Sequence, residues 1–245
     1  MESIKNRRSI RKYQSTDISE ELLNELLTDA FRAPTMGNMQ LYSVVVTRDS
    51  AMKEKLSPLH FNQPMIKSAP VVLTFCADYN RFSKWCEQRQ AEPGYDNFFS
   101  FINAATDALL VTQNFTVLAE ERGLGTCFIG TTLYNAEPII EALNLPKLVI
   151  PVATLTVGFP DEEPAQSDRL PLDGIIHEEV YRDYSVHDID RIYGMKEELP
   201  ENKEFVKINQ TQTLAQIFTD IRYRKSDNEA ISGALKELLV KQGFC

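Results

Sequence analysis

Two short stretches near the N-terminus hold the residue types that could do chemistry. The first is Arg7-Arg8-Ser9-Ile10-Arg11-Lys12-Tyr13, with four cations and a hydroxyl in close succession. In an extended segment Arg7, Ser9 and Arg11 fall on one face, and on a helix Arg7 and Arg11 still share one. Guanidinium is the side-chain group best shaped for bidentate phosphate binding. The second stretch is Ala33-Pro34-Thr35-Met36-Gly37-Asn38-Met39-Gln40, a helix stop followed by small and amide-bearing residues. The plain alternative for the first is a chance patch of surface cations. For Asn38 and Gln40 it is loop capping.

The rest of the chain makes that cationic cluster stand out. Over 245 residues the formal net charge is −9, with 26 basic against 35 acidic side chains. Such a balance argues against nucleic acid or an anionic membrane as the main partner. Other phosphate devices are missing, since no GxGxxG or GxxxxGK[ST] pattern occurs. A bound phosphate would therefore be held by side chains. Cys76, Cys86, Cys127 and Cys245 show no paired spacing, which excludes a zinc motif and a disulfide framework; Cys86, beside Trp85, is expected to be exposed. The start Met1-Glu2-Ser3 carries no apolar leader and no run approaches the roughly 18 apolar residues of a membrane span, so a cytoplasmic protein is expected. His60, His177 and His187 are read as structural.

The elements that must position these residues follow from periodicity. A helix is predicted over 19–33, with Ser19 as N-cap, Glu20 and Glu21 in the first turn, and Leu22, Leu23, Leu26, Leu27, Ala30 and Phe31 at helical spacing. Strands are predicted at 42–48, 71–77, 126–129 and 149–159, and short helices near 50–57 and 138–144. Residues 97–122 form the spine, a helix of about 26 residues or roughly 39 Å. Its apolar residues cover nearly the whole circumference, so it should be buried on most sides, with one face against another subunit. Gly123 and Gly125 should end it. Residues 160–174, with Pro160, Pro164 and Pro171, read as an ordered loop or arm, 195–213 as a polar, mobile stretch, and 228–241 as a last helix. Helices alternating with about four strands give an α+β fold with a mixed, mainly antiparallel sheet. We expect one domain over 1–245, with 160–245 as an extension.

Taken in order, these pieces resemble the nitroreductase family of FMN-dependent NAD(P)H oxidoreductases. The resemblance rests on Arg8-Ser9-Ile10-Arg11 with Tyr13; the 33–40 segment; Gln63 ahead of Ala69-Pro70; Asp107-Ala108-Leu109, Gln113-Asn114, Leu118-Ala119-Glu120 and Gly123-Leu124-Gly125 along the spine; Phe128-Ile129-Gly130; Val157-Gly158-Phe159-Pro160; and Arg169-Leu170-Pro171. Together they cover about residues 3–185. The tail Lys241-Gln242-Gly243-Phe244 is similar to a larger subfamily with an extended C-terminal arm that wraps a partner subunit.

The resemblance implies that Arg7, Arg8, Ser9 and Arg11 hold the FMN phosphate and ribityl end, with Arg169 closing over it. It implies that Pro34, Thr35, Met36 and Asn38 come from the second subunit of a homodimer and line the flavin ring. Gln63 would reach the polar edge of the ring, and Ile129, Gly130 and Thr131 would approach it by their backbone; the alternative for Gly130 is a strand-end turn. The implied reaction is ping-pong, with NADPH or NADH as donor and a nitroaromatic, quinone or free flavin as acceptor. It obliges no protein acid or base, because the cofactor carries the chemistry. Two other readings stay open: a flavin reductase that supplies reduced flavin to a partner, and a flavin-binding protein with little turnover. The chain departs from the pattern at three places. Ser167 stands where the larger subfamily often has Lys; residues 195–213 carry Lys196, Lys203 and Lys207 but no Arg, which leaves NADPH against NADH open; and Thr131-Thr132 replaces a second Gly.

Overall fold

The computed structural model describes residues 2–245, and they divide into two compact units. Of these, the first comprises residues 2–166 and 234–245, the second 167–233. The sequence-based expectation of one domain with an extension from 160 thus meets a boundary at 166/167, and residues 234–245 return to the first unit.

The first unit is built on a four-stranded sheet of order β1-β2-β4-β3, with β1 at Tyr42–Thr47, β2 at Val71–Asp78, β3 at Gly125–Ile129 and β4 at Val149–Gly158. All three pairings are antiparallel, so the expected mixed sheet is antiparallel throughout its named strands. The only parallel pairing among the described residues is the isolated bridge of Ser9 with Thr126. β2 and β4 occupy the centre and are buried along their whole lengths. Val71, Leu73, Phe75 and Ala77 alternate onto one face, as the period of two requires, and join a core with helices α2 (Glu20–Ala30) and α6 (Phe98–Glu121). Val72 points the other way, into a smaller cluster with Ile10, Tyr13, Cys127 and Ile129. That cluster also takes in Leu56 of α3 (Ser50–Leu56), Met65 and Ile66 of α4 (Pro64–Ser68) and Ala142 of α7 (Ala136–Leu143).

Local chemistry sets the boundaries of these elements. Ser19 accepts from the Leu22 amide at 3.1 Å and starts α2. Asn97 caps α6 through the Ser100 amide at 3.0 Å. Gly123, at φ +76°, closes that helix in the left-handed region. Gly125, expected to share that duty, is instead the first residue of β3. A Cβ there would stand 2.7 Å from the Ile10 side chain, so the glycine lets the N-terminal segment lie flat against β3.

The spine is buried or half-buried over most of its circumference and leaves one face open, where Phe98, Phe99, Ile102, Leu109 and Leu110 are exposed, Phe99 at 71%. One expectation about helices is corrected. Residues 195–213 are not a mobile loop. They fall in α8 (Val186–Glu198), α9 (Pro200–Ile208) and the turn leading to α10 (Leu214–Gln216). A capping box between Ser185 and Asp188 begins α8, and Pro200 occupies the first turn of α9, where its missing N–H costs nothing. Polar composition hid these helices because their stability comes from caps and charge pairs. Cys86, on α5 (Asn80–Gln88), is buried and not exposed, and the last helix, α11 (Lys225–Gln242), begins three residues earlier than expected.

Candidate functional site

The cationic segment runs extended along β3. Ile10 N–H donates to Thr126 O at 2.9 Å, and Ser9 bridges Thr126. Tyr13 pins the far end: its hydroxyl reaches Ile10 O at 2.6 Å and Thr156 Oγ1 at 2.8 Å, and burial pushes it up. Thus Arg7, Arg8, Ser9 and Arg11 are brought to one edge of the sheet. Arg11 and Arg7 both act on Cys127, whose thiol burial pushes up and whose anion the two guanidiniums favour. A cavity of about 380 Å³ opens here, lined by Arg7, Arg8, Glu120, Glu162 and Glu163 among others.

Carboxylates already answer these cations. Arg7 Nε lies 3.8 Å from Glu120 Oε1, which also accepts from Thr126 Oγ1 at 2.9 Å. Desolvation pushes the Glu120 carboxyl up, against the pull of Thr126 and Arg7. Arg8 meets Glu163 at 2.8 Å, and the amides of Arg11 and Lys12 both donate to Glu162 Oε1. Arg8 Nε is nonetheless buried with no partner. A phosphate is one acceptor-rich group that could satisfy such a donor.

Gln63, Ile129, Gly130 and Thr131 gather at the other end of β3. Thr131 Oγ1 lies 3.1 Å from His60 Nδ1 and 3.4 Å from Gln63 Nε2. Asn135 Nδ2 donates to Leu59 O at 2.7 Å and ties the two loops together. His60 is fully buried, and desolvation lowers its pKa to about 4. Its contact with Thr131 is one that a lone histidine in a turn gives no sequence pattern to find. A Cβ on Gly130 would meet nothing within 4 Å, so open space lies above the strand end. From Cys127 to Ile129 the extended strand spans roughly 7 Å, and the chain turns at Gly130.

Pro34, Thr35, Met36 and Asn38 lie elsewhere. Their segment leads into β1, the opposite edge of the sheet from β3. It is held by Asp107 of α6, which is 2% exposed and accepts from the amides of Met36 at 2.9 Å and Leu41 at 3.2 Å. Gly37, Asn38 and Gln40 all take positive φ, so the loop needs that external clamp. Asp107 was legible only as part of a resemblance. Within one chain the two halves of the expected site are therefore apart. From Asp107 to Glu120, which meets Arg7, is about 20 Å along α6. Arg169 belongs to the second unit, where it donates to the carbonyls of Ser167 and Asp168. In that unit Lys196 pairs with Asp168, Lys203 with Glu198 and Lys207 with Glu204.

Known proteins resemble this chain in sequence and in overall fold. A model described as the nitroreductase family matches residues 4–159. The chain is 32% identical to a Bacillus subtilis protein named FMN reductase (NAD(P)H), over 100% of this chain and 97% of that one. It is 33% identical to a Pseudomonas protein named CR(VI) reductase, over 74% of each. A crystal structure from Bacteroides fragilis, described only as an oxidoreductase, superposes with a TM-score of 0.98 at 62% identity, covering 100% of this chain and 99% of that one.

Proposed function

The chain belongs to the nitroreductase family, and on that premise we propose that it is an FMN-dependent oxidoreductase fed by NADPH or NADH. The observation that carries the reading is the two-ended site along β3, with guanidiniums and an orphan N–H at Thr126–Cys127 and the Gln63–Thr131 group beyond Ile129. Arg7, Arg8, Ser9 and Arg11 would hold the FMN phosphate and ribityl chain. Gln63 and the backbone at Ile129, Gly130 and Thr131 would meet the polar edge of the ring. Bound FMN supplies hydride acceptance from the nicotinamide and its onward delivery to a nitroaromatic, quinone or flavin acceptor. The protein's own part is to fix the phosphate, orient the ring edge by hydrogen bonds and leave one ring face open. No titratable side chain has to move a proton.

We further infer a homodimer. The 34–38 segment and the Arg-bearing edge lie on opposite sides of one sheet, so a second copy is what would bring them together. The open face of α6 supports it: Phe99, Ile102, Thr106, Leu109 and Gln113 follow a 3-4-3-4 spacing, a narrow seam of the kind helices use to pair. The cytoplasm is the compartment this reading favours, since NAD(P)H is there and the cysteines are free thiols. The alternative acceptor, free flavin, is favoured by the name of the full-length B. subtilis relative.

The test is the visible spectrum of the purified protein, followed by anaerobic addition of NADPH and NADH separately. Flavin bands that bleach with one nucleotide are expected. A colourless protein that takes up no added FMN would sink the reading and return the arginines to an ordinary surface patch.

A further inference from the structure

Two arginines of the cluster expected to hold a phosphate already face carboxylates, Arg7 that of Glu120 and Arg8 that of Glu163. Residues 160–166 form an acidic strap laid across residues 5–14. Asp161 N–H donates to Lys12 O at 3.0 Å, Gln14 N–H to Phe159 O at 2.9 Å, and Gln14 Nε2 to Pro160 O at 2.9 Å. Pro160 bridges Tyr13, and Gln166 Nε2 donates to Lys5 O. The Glu162 carboxylate accepts two backbone amides, from Arg11 at 2.6 Å and Lys12 at 3.1 Å, which fixes the strap and leaves its neighbour free.

That neighbour is Glu163. Its carboxylate is 83% exposed yet sits on Arg8 NH1 at 2.8 Å, at the rim of the cavity that Arg7 and Arg8 line. Among the described residues, no second hydrogen bond or ion pair holds the Glu163 side chain there. The strap is anchored on both sides by bonds that do not involve this side chain, so the carboxylate is delivered to Arg8 at high effective concentration. An ion pair made at such exposure is weak and opens readily. An incoming phosphate dianion needs the same donors and must displace it.

We propose that Glu163 is an affinity-setting residue, an internal competitor that holds Arg8 in place of the phosphate and makes the flavin nucleotide exchangeable. The proposal rests on the reading of Arg8 as a phosphate ligand. Apparent affinity falls by the fraction of molecules in which Arg8 is closed. The effect is confined to ligands that carry the phosphate: riboflavin, with the same ring and ribityl chain, does not contend for Arg8. A purely structural ion pair acts the other way, since removing it would loosen the strap and weaken every ligand.

The experiment measures dissociation constants of FMN and of riboflavin by fluorescence quenching, on the stripped full-length protein and on Glu163→Gln, which keeps size and a hydrogen-bond acceptor while removing the charge. FMN is expected to bind about two- to fivefold more tightly to the variant, the range of an exposed ion pair, and to leave it more slowly on dilution, while riboflavin is unchanged. Equal shifts for both ligands, or none, overturn the proposal. A parallel Arg8→Gln variant separates the two readings. If wild type prefers FMN to riboflavin and Arg8→Gln removes that preference, the phosphate reading stands and Glu163→Gln alone decides the competition. If Arg8→Gln leaves FMN affinity unchanged, the phosphate reading of Arg8 fails, and the competition with it. Thermal melting of both variants without ligand checks that each is folded.

Discussion

Asp107 is a carboxylate buried in the middle of a helix that is otherwise apolar or small on its inner face, and it survives there because it is satisfied by two backbone amides from a loop that cannot hold itself. Replacement by Ala leaves the Met36 and Leu41 amides without acceptors. We expect a loss of about 2–4 kcal/mol by denaturant unfolding, with Asn restoring no more than one of the two bonds because its Nδ2 would face the other amide, since each orphaned buried donor costs about 1–3 kcal/mol. An unchanged midpoint would show that the loop finds other partners. His60 gives a second prediction at this scale. Its folded pKa is lowered to about 4 by burial, so the folded state resists a proton that the unfolded chain accepts near 6.5. The unfolded state therefore binds more protons in that window, and stability falls as pH drops from about 6.5 toward 4, by up to about 3 kcal/mol from this residue. Carboxylates titrate nearby, so the test is a difference: His60→Asn should flatten the pH dependence between 6.5 and 4 relative to wild type, and parallel curves would contradict the assignment.

At the scale of elements, α6 carries two opposed duties. Its inner face packs Phe101, Ala104, Ala108, Val111 and Phe115 against the sheet, while its outer face is left apolar and open. Residues at the 3-4-3-4 positions of that outer face are exposed, so a charge there should spare the fold and strike the pairing. Leu109→Glu is expected to shift the protein from dimer to monomer in sedimentation and to weaken FMN binding at least tenfold, with little change in circular dichroism. A monomeric wild type, or a dimeric variant that still holds FMN, would remove α6 as the interface. Helix existence along 20–30 and 98–121 was legible in the sequence because caps and periodicity are local properties. Helices α8 and α9 were not, because a polar stretch with caps and i,i+3 charge pairs has no apolar stripe to read.

For the whole molecule, sheet order is the decisive fact. With β1 and β3 on opposite edges, the loop before β1 and the arginines beside β3 sit at least three strand spacings apart, about 14 Å. A site completed by a second copy couples cofactor binding to association. FMN affinity should therefore weaken as the protein is diluted through its dimer dissociation range, and added FMN should shift the monomer–dimer equilibrium toward dimer and raise the melting temperature. FMN affinity independent of protein concentration across that range would mean that one chain holds the cofactor alone.

The sequence by itself determined what is local. It placed the strands of the sheet, the capped helix ahead of Pro34 and the spine, because each depends on residue type and on spacing within a few turns or pleats. Only the tertiary structure decided which of the candidate site residues share an edge, that Asp107 clamps the 36–41 loop, that His60 lies under Thr131, and that Glu162 and Glu163 answer the arginine cluster. Those pairings join residues 66 to 155 positions apart. They are set by strand order and loop return, which no periodicity within one segment encodes.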